Sequence, residues 1–464
     1  MFAGKALVSR PKANAPSYCL HRPSGRAYVT IDGRMIYLGK HGSAESRVAY
    51  DRTLAEWLAN GRRLPVAASN DANPSSGYPA VSVLIEAFWR HAQVYYTKPV
   101  LDDAGNPVMN EDGTTKLIAS GQLTAYRYAL RPLRRLYGGM KVSDFGCPQL
   151  EAIREAMINP RTDAAGKTEA GWARTHVNRQ IGRIKHVFGW GVTKKLVPAS
   201  VHDELERLPG LRKGKTRARE TRPVRPVDES RALKIVPHVS KQVGIMLQVQ
   251  LLTGMRSTEL CIMRPADIDR TVSPWIYRPT FHKTQEHDID REIPIGPRAR
   301  ALIEPYLDRD PQSFLFSPAE AEADRLAKAS KDRKTPVQPS QVLRSKQAKR
   351  RKRRKQPGRR YDRASYYKAI RRGCELAFEL PAALRAHRGD TPEQKKAKSK
   401  LRSEWFAKNA WHPHQARHRT ATDLRKQAGT EAAQVVLGHT SKAMTLRYAE
   451  ADVAKAHKAI EEIG

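Results

Sequence analysis

Three short clusters in the second half of the chain concentrate residue types that do chemistry. The first, Leu251-Leu-Thr-Gly-Met-Arg-Ser-Thr-Glu-Leu260, runs an apolar helix end into Gly254; Arg256 opens the next element, with Glu259 three residues on. The second, His412-Pro-His-Gln-Ala-Arg-His418, puts His414, Arg417 and His418 on one helical face through i, i+3 and i, i+4 spacing. In the third, Leu437-Gly-His-Thr-Ser-Lys-Ala-Met-Thr-Leu-Arg-Tyr448, a Leu-Gly-His turn precedes a helix, and Tyr448 follows His439 by nine residues. Guanidinium groups bind oxyanions, imidazoles move protons near neutrality, and a phenol becomes a nucleophile once deprotonated. Singly, each cluster has a plainer reading. Arg256 and Glu259 could form a helix-surface ion pair, and Tyr448 could be a core side chain. His412, His414 and His418 could bind zinc, since His-x-His-x-x-x-His is a possible ligand spacing.

Taken jointly and in order, the Thr-Gly-Met-Arg-x-x-Glu-Leu, His-x-x-Arg-His and Leu-Gly-His…Tyr blocks resemble the tyrosine recombinase, or phage integrase, family over roughly residues 227–464. The resemblance implies that Arg256 and Arg417 grip a scissile phosphate, that His414 and His439 are the paired histidines, and that Tyr448 is the nucleophile. The family also uses a lysine in a β-hairpin after the first arginine. Trp275-Ile-Tyr-Arg and Arg291-Glu-Ile-Pro-Ile295 look like strands flanking Phe281-His-Lys-Thr-Gln-Glu, so Lys283 is the match.

Physical chemistry agrees with that set. A phosphodiester under attack gains negative charge, which two permanently protonated bidentate guanidinium forks stabilise without a metal. A phenol of ordinary pKa about 10 must lose its proton; nearby cations ease this, and a histidine can accept it. The departing 5′ oxygen needs a proton, which Lys283 could donate. Covalent linkage through a 3′-phosphotyrosine keeps the bond energy, so no cofactor, ATP or metal is called for. Two departures from the commonest pattern stand out: Gln415-Ala416 inside the second block, and a long basic insertion ahead of it.

The elements that must position these residues suggest a multidomain, mainly α chain with small β elements. Residues 1–66 form a small β-sheet plus helix. Strands at 27–31 and 34–38 meet at an Asp32-Gly33 turn, and a third strand lies near 18–21. Ser43 caps a helix carrying Tyr50, Leu54, Trp57 and Leu58, which Gly61 closes. Such a β-ribbon could enter a major groove with Arg34, as an arm-type DNA-binding module. After a Ser-, Asn- and Pro-rich linker at 67–79, residues 78–212 read as a helical, SAM-like core-binding domain. Tyr126, Leu130, Leu133 and Tyr137 mark an apolar face, with a kink or two short helices expected at Pro132. Basic faces carrying Arg127, and on a second helix Arg179 and Arg183, suit phosphate contact. A basic linker at 213–227 leads into the α+β catalytic domain, residues 226–464. Its insertion at about 319–360 contains the run Lys349-Arg-Arg-Lys-Arg-Arg-Lys355, expected to be disordered without an anion. A short helical tail follows Tyr448; in the family such tails dock on neighbouring subunits.

The chain has 464 residues with 84 Lys and Arg against 47 Asp and Glu, a net charge of +37. That much self-repulsion points to a polyanionic partner, nucleic acid ahead of anionic membrane. No stretch approaches the roughly 20 apolar residues of a membrane span. Residues 1–15 are basic but lack the apolar core of a signal peptide. Cys19, Cys147, Cys261 and Cys374 form no Cys-x-x-Cys pair and read as buried apolar thiols. A cytoplasmic, nucleoid-associated protein is expected. The implied partners are double-stranded DNA attachment sites and further copies of the chain: a homotetramer in the synaptic complex, a monomer or dimer otherwise. DNA-bending accessory proteins would be further partners. The leading reading is a site-specific recombinase of a prophage or mobile element. A topoisomerase-like relaxing enzyme would use the same residues, and a DNA-architectural protein with a dormant site is the non-enzymatic alternative.

Overall fold

A computed structural model describes residues 15–31, 33–59, 62, 77–100, 102, 106–162, 168–281, 290–336, 338–341, 343–344, 357–385, 387 and 389–449. The chain divides into two compact units, Met1–Arg222 and Pro223–Gly464. Both are mainly helical with small antiparallel sheets.

The first unit opens with β1 (Cys19–His21), β2 (Arg26–Ile31) and β3 (Arg34–Lys40), an antiparallel sheet in which Tyr28 pairs with Tyr37 and Ile31 with Arg34. Gly33 takes the positive φ of 74° that the turn demands; Asp32 lies outside the described residues. Strand alternation sends Ala27, Val29, Ile31 and Leu38 inward onto α1 (Ala44–Ala59), where Ala49, Tyr50 and Trp57 meet them. Ser43 does cap this helix, its hydroxyl accepting the Ser46 amide at 3.2 Å.

The helical body follows: α2 (Val81–Tyr95), the β4 (Thr97–Pro99) and β5 (Leu117–Ala119) hairpin, α3 (Gly121–Tyr137), α4 (Cys147–Ile158), the two-residue strands β6 (Arg161–Thr162) and β7 (Thr168–Glu169), α5 (Arg174–Thr193) and α6 (Ala199–Glu206). Phe88, Leu133, Phe145, Ile184 and Phe188 form its core. Of the two outcomes expected at Pro132, a kink or two short helices, the second is not seen: α3 is one helix that runs through it. Pro132 is buried, as are Leu133 and Leu136, so burial offsets the missing amide. The sheet module is not loosely tethered to this body. Ala55 of α1 joins the helical core, Arg135 of α3 pairs with Asp51, and the Tyr137 hydroxyl donates to Glu56 at 2.8 Å. The segment read as a second linker is also tied down as far as Arg222: Arg217 pairs with Glu155 at 2.9 Å, Arg174 with Glu220 at 2.5 Å, and Ala218 is buried.

The second unit is built around α8 (Lys241–Thr253), which follows α7 (Glu229–Leu233). Val243, Ile245, Met246, Leu247 and Val249 bury it on all sides, as befits a helix at the centre of a domain. Its buried Gln250 bridges the Met255 carbonyl and the Tyr366 hydroxyl at 3.1 Å each. Next come α9 (Ser257–Cys261) and the sheet of β8 (Ile268–Asp269), β9 (Trp275–Tyr277) and β10 (Ile293–Ile295), in the order β10-β9-β8. They are followed by α10 (Pro297–Ile303), α11 (Pro318–Lys331), α12 (Arg363–Ala377), α13 (Pro392–Asn409), α14 (Pro413–Leu437) and α15 (Lys442–Tyr448). Within α14, Gly429 leaves helical geometry at φ 85° and ψ 178°. The 349–355 basic run, most of the 67–79 linker, Gly61 and the tail beyond residue 449 lie outside the described residues. Among the described residues, no helix is long and apolar enough to cross a membrane.

Candidate active site

The site grows from two helix ends and one turn. Gly254 closes α8 at φ +64°, where a Cβ would stand 2.8 Å from Cδ2 of Leu437. That reversal frees the Gly254 carbonyl to accept a 2.7 Å hydrogen bond from Nη1 of Arg417 and delivers Arg256 to the start of α9. Glu259 completes the start: one carboxylate oxygen accepts the Arg256 amide at 2.7 Å, the other its Nη1 at 2.6 Å. The Arg256–Glu259 pair, for which a helix-surface ion pair was the plainer alternative, is internal, because the Glu259 side chain is wholly buried.

Arg417, three residues into the exposed-to-buried turn of α14 after His414, is among the largest fully buried side chains. Its Nη2 donates to the Leu437 carbonyl at 2.5 Å and to Nε2 of His439 at 3.1 Å. A guanidinium can only donate, so Nε2 of His439 is the acceptor and its proton sits on Nδ1, which donates to Thr445 Oγ1 at 3.1 Å. Gly438, at φ +59°, makes the Leu-Gly-His turn and turns its carbonyl to Nη2 of Arg256 at 3.3 Å. The glycines of the first and third blocks therefore each offer a carbonyl to an arginine of another block, Gly254 to Arg417 and Gly438 to Arg256.

Tyr448 ends α15 inside this frame. Its hydroxyl lies 3.2 Å from Nε2 of His414. The His439 ring is 4.8 Å away, and the Arg417 guanidinium carbon is 5.9 Å from the Tyr448 ring centroid. On the other side, His418 stacks on the phenol ring at 4.5 Å and 17°, while its Nδ1 donates to the Tyr448 carbonyl at 3.0 Å.

Burial and the arginines set the charges. His414 is exposed at its edge, yet desolvation by the surrounding protein, then His418 and Arg417, lowers its pKa to about 4. Burial, then Arg417, Arg256 and Arg291, lower that of His439 to about 3. Both imidazoles are neutral at neutral pH. Burial, reinforced by Arg256, brings Arg417 down to about 9, still protonated at neutrality. Burial pushes the Glu259 carboxyl upward, but Arg291 and Arg256 outweigh it and hold the pKa below the usual glutamate value. Guanidinium groups around one carboxylate leave the pocket net positive with neutral proton acceptors, which suits an anion under nucleophilic attack.

Of the residues read from the sequence, Arg256, His414, Arg417, His439 and Tyr448 converge here. Lys283 lies outside the described residues, although β9 and β10 pair as the expected hairpin strands. Arg34, Arg127, Arg179 and Arg183 belong to the first unit. Arg34, Arg127 and Arg179 are exposed, Arg127 over the Trp89 ring at 5.4 Å. Arg183 is half-buried and bonded to Gln122 at 3.0 Å. His414 meets His418 edge-on at 5.2 Å, and among the described residues no three His, Cys, Asp or Glu are arranged to hold a metal. Three contributors had been given no part in the recombinase site from the sequence. Thr445 and His418 occupy motif positions and could have been suspected, whereas Arg291, buried beneath the site, carries no spacing signal.

The model of the phage integrase family matches residues 228–455. No curated protein matches the chain. Among solved structures, a lambda integrase dimer bound to a COC' core site is 13% identical, with 95% of this chain and 96% of that chain covered and a TM-score of 0.46. The Tn1549 transposon integrase with circular intermediate DNA is 14% identical, with 82% and 99% covered and a TM-score of 0.44. XerA recombinase is 16% identical, with 74% and 91% covered and a TM-score of 0.30.

Proposed function

Because the chain belongs to the phage integrase family of tyrosine recombinases, we propose that it cuts and rejoins DNA at attachment sites through a 3′-phosphotyrosine at Tyr448. The observation that carries this reading is the 3.2 Å contact between the Tyr448 hydroxyl and Nε2 of a neutral His414. The phenolic oxygen attacks phosphorus as its proton passes to that nitrogen, and the P–O5′ bond breaks. Arg256 and Arg417 stabilise the added charge on the phosphoryl oxygens. His439, held by Thr445, keeps Arg417 in line, and Lys283 protonates the departing 5′ oxygen. Attack of a 5′ hydroxyl on the phosphotyrosine reverses these movements and restores the phosphodiester, so no external energy source is consumed.

The partner is double-stranded DNA, met in the first unit by the outer face of the β1–β3 sheet with Arg34 and by the basic faces carrying Arg127, Arg179 and Arg183. Four copies would act together at synapsis, serving a prophage or mobile element. The +37 charge supports a polyanion as partner. Covalent capture tests the reading. Wild-type protein is incubated with a pool of nicked random-sequence duplexes, and adducts surviving denaturation are sequenced. A recovered site and loss of the adduct in Tyr448→Phe are expected; no adduct with wild type, or one that persists in the variant, overturns the assignment.

A further inference from the structure

Arg291 stands two residues before β10 and is only 5% exposed, an expensive place for a charge. Its contacts offset that only in part, because Nε and Nη2 are buried without a hydrogen-bond partner. Nη1 donates to the Val436 carbonyl at 2.8 Å and to the Glu292 carbonyl at 3.1 Å. Nε faces Oε1 of Glu259 at 3.5 Å, the same oxygen that accepts from Arg256 Nη1 at 2.6 Å. A Cβ on Gly438 would come within 2.8 Å of Arg291 Nη1, so the guanidinium lies directly under the turn that carries His439. One side chain therefore touches both halves of the site: the carboxylate that orients Arg256, and the Val436–Gly438 backbone.

We infer that Arg291 is a positioning residue for strand cleavage, sharing Glu259 with Arg256 and fixing the turn that presents His439. Sharing matters because an unshared buried carboxylate would hold Arg256 harder against itself, away from a phosphate. Fixing the turn matters because the Gly438 carbonyl and the His439 ring each bond one of the other two arginines. The proximity of Arg291 also helps keep His439 neutral, together with Arg417, Arg256 and His414.

This inference rests on the reading of the site as a phosphoryl-transfer centre, and its test separates the two. Single-turnover adduct formation is measured for wild type, Arg291→Met and Arg291→Lys on the duplex recovered by covalent capture, with DNA affinity measured on the same duplex. The His439 imidazole is titrated by NMR in each protein without DNA. Arg291→Met is expected to slow adduct formation about tenfold to a hundredfold, the scale of a misplaced reacting group, with affinity little changed and the His439 midpoint raised. Arg291→Lys is expected to fall between, since a lysine keeps the charge but cannot reach both Val436 and Glu259. Cleavage by Arg291→Met at the wild-type rate overturns the inference, and so does slowed cleavage with an unmoved His439 midpoint. If Arg291→Met does not fold, Arg291→Lys at the full wild-type rate overturns it. Absence of any adduct with wild type would instead sink the phosphoryl-transfer reading, leaving the His439 titration to decide the place of Arg291.

Discussion

The Tyr448 hydroxyl and Nε2 of His414 meet at 3.2 Å within a single chain. Nucleophile, arginines and histidines are thus assembled without a contribution from a second copy. Cleavage should be in cis. Mixing Tyr448→Phe with Arg417→Ala is expected to give no adduct, because neither protein holds a complete set; restored adduct in the mixture would show that one copy lends its tyrosine to another.

Acid should weaken the second unit before any carboxylate pair is lost. His414 and His439 sit at about 4 and about 3 in the folded chain, below the ordinary 6.5 that they regain on unfolding. Between those values the unfolded chain binds more protons, so stability is full above about 6.5 and declines as pH falls towards 4. Urea midpoints measured from pH 7.5 to 4 should show that slope, and His439→Gln should flatten it. A midpoint independent of pH across this window would contradict the neutral-histidine picture.

Arg417 is both a catalytic group and a structural tie. Arg417→Lys cannot serve the Gly254 and Leu437 carbonyls together, and an unsatisfied buried acceptor costs about 1–3 kcal/mol. The same change removes a bidentate donor from the phosphate, worth about a hundredfold to a thousandfold in adduct rate. Denaturant melts and single-turnover cleavage would check the two effects separately. Loss of cleavage at unchanged stability would mean that the two carbonyl bonds are dispensable.

Gly254→Ala should damage the site from a distance. The position needs φ +64°, and the new methyl would meet Leu437 and Thr420. Strain of this kind costs about 1–3 kcal/mol. The variant should melt earlier and lose adduct formation together, as the Arg417 acceptor and the Arg256 entry shift in concert. Wild-type melting would mean that the turn tolerates a side chain.

His418→Phe retains a ring against Tyr448 but no donor for its carbonyl. Adduct formation should slow about tenfold, within the range that misplacement of a reacting group produces. A rate equal to wild type would reduce His418 to a packing residue.

Much of this centre was legible because its chemistry is written in local spacing. His414, Arg417 and His418 share a face by helical periodicity, and Gly254 and Gly438 announce chain reversals. Arg291 was not legible, since an arginine ahead of a short strand is ordinary until the fold buries it under another segment 145 residues away. Pro132 misled for a related reason: its local cost was visible, while the packing that offsets it was not. The sheet module read as separate because residues 67–79 look like a tether, yet Ala55, Asp51 and Glu56 face the helical body through contacts that no sequence period reports. In each case the hidden fact is a long-range neighbour.

The break at Gly429 has a consequence of its own. His414 and Arg417 ride one arm of α14; the other arm ends in Leu437 and hands the chain to His439. Every residue inserted or removed between Gly429 and Leu437 would rotate that end by about 100° around the helix axis. Substitutions on its solvent side can accumulate freely, but the segment behaves as a ruler, with its length under stricter constraint than its letters.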